Sequence, residues 1–267
     1  MKLSLKNLLI SSPLVIGGLE LGLRLIGYSF PALGMPDRVT GWSLRPGAEG
    51  LVRGENKRGV YVRINSDGLR DREHSIRKPA ATIRIAVLGD SLCEATEVPL
   101  EKTFWAILED KLSRCATGGQ KVEVVNFGVA GYSTAQELLM LRTRVWKYEP
   151  DIVLLAFTGS DVSENFRPLS GQPLAPYFIY KDNQLVLDDS FRGLIRHEWL
   201  RNKWASAAQH LRMLQLVRQL FQRSRTSMPA NDSLYAEPVD REWREAWSIT
   251  EDLIRLIHRE TVQHGAA

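Results

Sequence analysis

RIAVLGDSLCEATEV, Arg84–Val98, is the stretch whose reading decides the fold. Ile85 to Leu88 form an aliphatic, partly β-branched run of the kind that makes a buried strand. Gly89 and Asp90 end the run and place Ser91 just beyond its carboxyl end. The following hundred residues repeat the theme. PLEKTFWAILEDKLSR carries Phe104, Ile107, Leu108 and Leu112 at helical spacing, and KVEVVNFG is a second strand. STAQELLMLRTRVWKYEP is a second helix, with Ser133/Gln136 and Thr134/Glu137 both matching a capping box and Pro150 closing it. DIVLLAFTGSD is a third strand, apolar enough to predict burial on both faces. Strands alternating with helices predict an α/β fold: a three-layer α/β/α sandwich around a mainly parallel sheet.

The flanks are less regular. Residues 31–80 read as an irregular lead-in with a short strand, Val60 to Ile64, and an Asn-Ser-Asp-Gly turn. APYFIYKDNQLVLDD predicts a hairpin around Lys181-Asp182-Asn183, and Phe191 to Arg225 a basic helical stretch. Asn231-Asp232-Ser233 matches a glycosylation sequon in a loop. The last helix, over 240–262, presents Trp243, Trp247, Thr250, Ile254 and Ile257 on one face. An alternating domain normally continues from such a helix into another strand, so the fold reads as incomplete at its C-terminal end.

The 267 residues, 44% hydrophobic and 25% charged, suffice for a sizeable core. A net charge of +4, with bases scattered among acids, does not point to nucleic acid. Two cysteines make no disulfide framework, and no Cys/His spacing matches a metal site. Residues 1–30 read as a hydrophobic helix, with Leu8 to Tyr28 as a membrane anchor or transmembrane segment. Glu20 and Arg24 lie inside that run, where charge is expensive but where the two pair on one helix face. The alternative is an amphipathic helix packed on the domain or lying along a membrane surface.

Ligands bind outside the carboxyl ends of parallel strands. Here those ends read Gly89-Asp90-Ser91, Asn126-Phe127-Gly128-Val129-Ala130-Gly131 and Thr158-Gly159-Ser160-Asp161. Acyl transfer needs a nucleophile, a base and hydrogen-bond donors aimed at the developing oxyanion. Ser91 is placed to attack, a glycine after the second strand lets a backbone N–H approach closely, and a polar side chain after the third supplies another donor.

With GDSLCEA, NFGVAG and TGSDVSEN in order, each at a strand end, the chain resembles the GDSL, or SGNH, hydrolase superfamily. INSDGLRDREH and the hairpin resemble a bacterial subgroup with an N-terminal hydrophobic segment. The resemblance spans roughly residues 20–262. It implies an ester hydrolase domain over 81–267, with an insertion at about 173–235, acting on an ester through a serine acyl-enzyme and needing no cofactor or metal. It implies Ser91 as nucleophile, and Ser91, Gly131 and Ser160 as the oxyanion hole. Ser160 stands where the family has asparagine. Asp90 would position Ser91, Asn126 would tie loops together, and Asp161 would order the third loop. The family's Asp-x-x-His base block is not found after residue 161; the pattern occurs only at Asp71-Arg72-Glu73-His74, before the first strand. His197, His210, His258 and His264 read as surface or packing residues, and Cys93 as packing.

Two alternatives accompany the hydrolase reading: a truncated or catalytically impaired member, and a non-enzymatic flavodoxin-like binding module. A membrane-associated chain with its hydrolase domain outside the cytoplasm is the expected location, and a cytoplasmic one the alternative. Nothing in the sequence fixes an oligomeric state.

Overall fold

A computed structural model gives the structure of the chain and describes residues 5–53, 59–195, 198, 211–222 and 240–267. The Asn231 sequon, Trp199, Trp204, His197, His210 and much of the 173–235 insertion lie outside the described residues.

The centre is strand β5, Thr82–Gly89, flanked by β6, Lys121–Asn126, and β7, Ile152–Ala156, both parallel to it. Three separate antiparallel pairs accompany this sheet: β1 (Gly34–Asp37) with β2 (Gly41–Leu44), β3 (Glu49–Arg53) with β4 (Gly59–Arg63), and β8 (Tyr177–Lys181) with β9 (Gln184–Asp188). The last turns at Asp182 and Asn183, both left-handed, at the tip the sequence predicts.

Helix α3, Phe104–Cys115, covers one face of the sheet. Its burying face is turned one residue from the predicted stripe. Trp105 enters the core beside Ile85, Val87, Cys93 and Val124, while Phe104 and Ile107 stay over 40% exposed. The indole wins because it offers the largest apolar area and its Nε1 finds a partner, the Cys93 carbonyl at 3.1 Å.

The other face packs on α4, Thr134–Thr143, and α8, Arg241–Gln263. Ser133 opens α4 through its capping box with Gln136; the Thr134/Glu137 match is not used, because both residues lie buried inside the helix. α4 is buried from Thr134 to Leu141, between the sheet and α8. On α8 the buried residues are Trp243, Ala246, Ile249, Thr250, Leu253, Ile257 and Thr261. Trp247 and Ile254 of the predicted face instead line a hollow of about 400 Å³ with Phe157. Val62, Ile64 and Leu69 join the same core, so the lead-in is part of the domain's packing.

β7 departs from expectation. It is the sheet's edge, with Ile152 and Leu154 each 37% exposed, because no other strand of the described residues pairs with its outer side. Ala267 bonds along that side: its N–H donates to the Asp151 carbonyl at 2.9 Å, and its carbonyl accepts from the Val153 N–H at 2.8 Å.

Helix α1, Leu5–Leu25, corrects the transmembrane expectation: among the described residues no helix is long and apolar enough to cross a membrane. Glu20 explains part of this. Its carboxylate pairs with Arg24 at 2.8 Å and accepts from the Met213 N–H at 3.0 Å, at the first turn of α7, Arg212–Gln222. The charge in the apolar run thus caps a second helix.

Candidate active site

Ser91 begins the short helical turn α2, Ser91–Glu94, directly after β5, and its side chain is exposed. Asp90 precedes it as the cap residue and accepts from the Leu92 N–H at 2.8 Å. Its second oxygen, Oδ2, accepts from Thr158 Oγ1 at 3.1 Å, which ties the first strand-end loop to the third. Thr158 Oγ1 also lies 2.9 Å from Ser160 Oγ. Glu94, buried at the far end of α2, accepts from the Ala130 N–H at 2.6 Å and ties the first loop to the second. The Val129 N–H donates to the Gly89 carbonyl at 3.0 Å, adding a second tie between those two loops.

Asn126 is the hub beneath these ties. Fully buried, it donates through Nδ2 to the carbonyls of Cys93 (3.0 Å) and Arg70 (3.3 Å) and accepts from the Gly128 N–H at 3.0 Å. Gly131 turns the second loop with φ +77°, a conformation glycine adopts without penalty. Trp42, from β2, lies against it and donates from Nε1 to the Ala130 carbonyl at 3.1 Å. Asp161 orders the third loop by accepting from the Thr158 N–H at 2.9 Å. Thus Ser91, Asp90, Asn126, Gly131, Ser160 and Asp161 all lie at the carboxyl ends of the sheet strands, linked by short bonds between their loops. Trp42, Glu94 and Thr158 belong to the same assembly and were not singled out by sequence. An isolated tryptophan in a lead-in hairpin and a glutamate three residues past the serine carry no motif signal.

Acidic groups gather under this edge. Burial, reinforced by Asp161, Asp90 and Glu164, holds Glu137 well above the ordinary carboxyl range, and neither of its buried oxygens has a hydrogen-bond partner among the described residues. Burial pushes Asp161 up to about 7 and Glu164 up to about 8, with neighbouring Asp90 adding to both. Burial also raises Cys93, to about 12, so this thiol is a packing group and not a nucleophile.

No described histidine hydrogen-bonds to Ser91. His74, the histidine of the Asp71-x-x-His74 pattern, makes its contacts elsewhere. It is buried at the amino-end side of β6, with Nδ1 2.7 Å from Glu123 Oε1 and Nε2 3.1 Å from Asp71 Oδ2. Arg84, fully buried at the start of β5, pairs with the same Glu123 at 2.7 Å and donates to the carbonyls of Ser75, Ile76 and Tyr148. The Asp-x-x-His pattern therefore serves an ion-pair network that closes the sheet's amino side. His258 and His264 are exposed, and the latter stacks on Trp146 with centroids 4.0 Å apart.

No family model matches the chain. Over 88 residues it is 33% identical to an arylesterase from Vibrio mimicus, a match covering 33% of this chain and 42% of that protein. The chain thus spans about two fifths of the length of this curated relative. Among solved structures it is similar to TesA (16% identity, 69% of this chain and 76% of the other, TM-score 0.30). It is also similar to AlinE4, described as an SGNH-hydrolase family esterase (17% identity, 71% and 76%, TM-score 0.32).

Proposed function

We propose that this chain, a member of the GDSL/SGNH hydrolase superfamily, is a serine ester hydrolase in which Ser91 takes the acyl group. The observation that carries this reading is the pair of bonds, Thr158 to Asp90 and Ala130 to Glu94, that hold the second and third loops against the turn bearing Ser91. In the proposed reaction Ser91 Oγ attacks the ester carbonyl, and the backbone N–H groups of Ser91 and Gly131 receive the oxyanion. The alcohol then leaves, and water releases the acid. The hollow lined by Phe157, Trp247 and Ile254, with Arg244, Ser248, Thr250 and Glu251 beside them, adjoins the third loop through Phe157 and would take an aryl or acyl group.

Among the described residues no side chain is bonded to Ser91 as its proton acceptor. A serine hydroxyl is a weak nucleophile near neutral pH without a base. No described histidine bonds to Ser91, and this favours a second reading, a member with slow turnover. A panel of short- and long-chain nitrophenyl esters, assayed on the chain and on Ser91→Ala, tests both. Hydrolysis lost in the variant supports the enzyme. Stoichiometric acylation of Ser91 without turnover supports the impaired member. Neither event would favour a flavodoxin-like binding module.

For location, the proposal is association with a lipid surface through α1, which exposes Val15, Leu21 and Leu25. Co-sedimentation with anionic vesicles, weakened by Leu25→Glu, is the expected result. Equal pelleting of the variant would contradict it.

A further inference from the structure

Proton accounting at the third loop leads beyond the list of site residues. Thr158 Oγ1 donates to Asp90 Oδ2 at 3.1 Å and touches Ser160 Oγ at 2.9 Å. A carboxylate only accepts, and a threonine hydroxyl has one proton to give. With that proton committed to Asp90, the contact between the two hydroxyls is filled by the proton of Ser160. The Ser160 hydroxyl therefore points its only donor at Thr158. Thr158 is well held in this role. Its N–H donates to Asp161 Oδ2 at 2.9 Å, and its carbonyl accepts from the Asp161 N–H at 3.1 Å.

Resting on the hydrolase reading above, we propose that Thr158 is a positioning residue that withholds the Ser160 donor from the oxyanion. The chain Ser160 to Thr158 to Asp90 directs the hydroxyl proton inward. The resting oxyanion hole then consists of backbone N–H groups, and Ser160 joins it only by rotating away from Thr158. The substitution of serine for the family's asparagine thus changes more than the length of the donor. An amide keeps a second N–H for the oxyanion after donating one, whereas a hydroxyl does not.

The test is the rate at which a fluorophosphonate labels Ser91. In that reaction the Ser91 Oγ–P bond forms, the P–F bond breaks, fluoride leaves, the serine proton passes to solvent, and the phosphoryl oxygen occupies the place of an oxyanion. Thr158→Val keeps the shape and removes the acceptor, so the Ser160 proton is released. Loss of a well-placed oxyanion donor costs about 10²–10³ in rate, and a freed, rotating hydroxyl should recover about tenfold. The expected result is faster inactivation at unchanged probe affinity in Thr158→Val. Thr158→Ser should label within about twofold of the native rate, because the positioning hydroxyl is kept. The gain should vanish in Thr158→Val/Ser160→Ala. Thr158→Ala provides the same test if the valine variant does not fold. Native-like labelling of Thr158→Val and Thr158→Ala would overturn the proposal, as would a gain that survives Ser160→Ala. Absence of Ser91 labelling in every form, native included, would instead bring down the hydrolase reading, and this proposal with it.

Discussion

Replacing Asn126 with alanine tests whether the three loops are held by one buried side chain. The side chain makes three hydrogen bonds: to the Arg70 and Cys93 carbonyls and from the Gly128 N–H. The Cys93 carbonyl keeps a second donor, Trp105 Nε1, so it is not orphaned by the change. The Arg70 carbonyl and the Gly128 N–H lose their side-chain partner in a fully buried setting. A buried polar group left without a partner costs about 1–3 kcal/mol, so two of them predict a loss of about 2–6 kcal/mol. Urea unfolding followed by tryptophan fluorescence reads this as a lower midpoint at unchanged slope. Asn126→Asp keeps the acceptor for Gly128 but sets a buried carboxyl against the Arg70 and Cys93 carbonyl oxygens, so it should lose at least as much as Asn126→Ala. A loss below about 1 kcal/mol in Asn126→Ala would refute the assignment of Asn126 as the hub.

Two further outcomes follow from the same surroundings. A Cβ on Gly89 would sit 2.3 Å from Cys93 Sγ, so Gly89→Ala should cost about 1–3 kcal/mol by overpacking; adding Cys93→Ala should give a double variant more stable than the sum of the singles predicts, measured as a coupling in urea unfolding. Stability should also fall as pH rises from about 4 to 8, because Asp161 and Glu164, held up to about 7 and about 8, keep protons in the folded chain that the unfolded chain has released. His74, also raised, adds a contribution present below its ordinary value and lost as pH rises through the folded one. Glu137→Gln removes one such carboxyl, so its melting temperature should decline less between pH 5.5 and pH 8.5 than the native one; an equal decline would contradict the carboxyl assignment.

The parallel sheet and its order of helices were legible because β5 and the flanking strands are short apolar runs set between helical patterns. The three strand-end loops were legible because glycine, serine and aspartate cluster there in an otherwise apolar context. Other features depend on long-range packing. Periodicity alone could not choose between Phe104 and Trp105 on α3, since both lie near the apolar stripe and the choice rests on the Cys93 carbonyl meeting the indole. The apolar run of β7 reads as buried on both faces, yet exposure follows from its place at the sheet edge, which composition does not encode. Asp71-x-x-His74 shows the limit of a short motif: the spacing matches a catalytic pair, but Glu123 and Arg84, distant in sequence, make it structural. Glu20 reads as a costly charge in an apolar run, because its partner, the Met213 N–H, lies 193 residues away in sequence.

The most direct measurement is site-mapped mass spectrometry after exposure to a fluorophosphonate. One adduct per chain, located on Ser91 and lost in Ser91→Ala, is the predicted result. A chain that carries the label elsewhere, or labels equally without Ser91, would contradict an acyl-transfer site at the carboxyl end of β5.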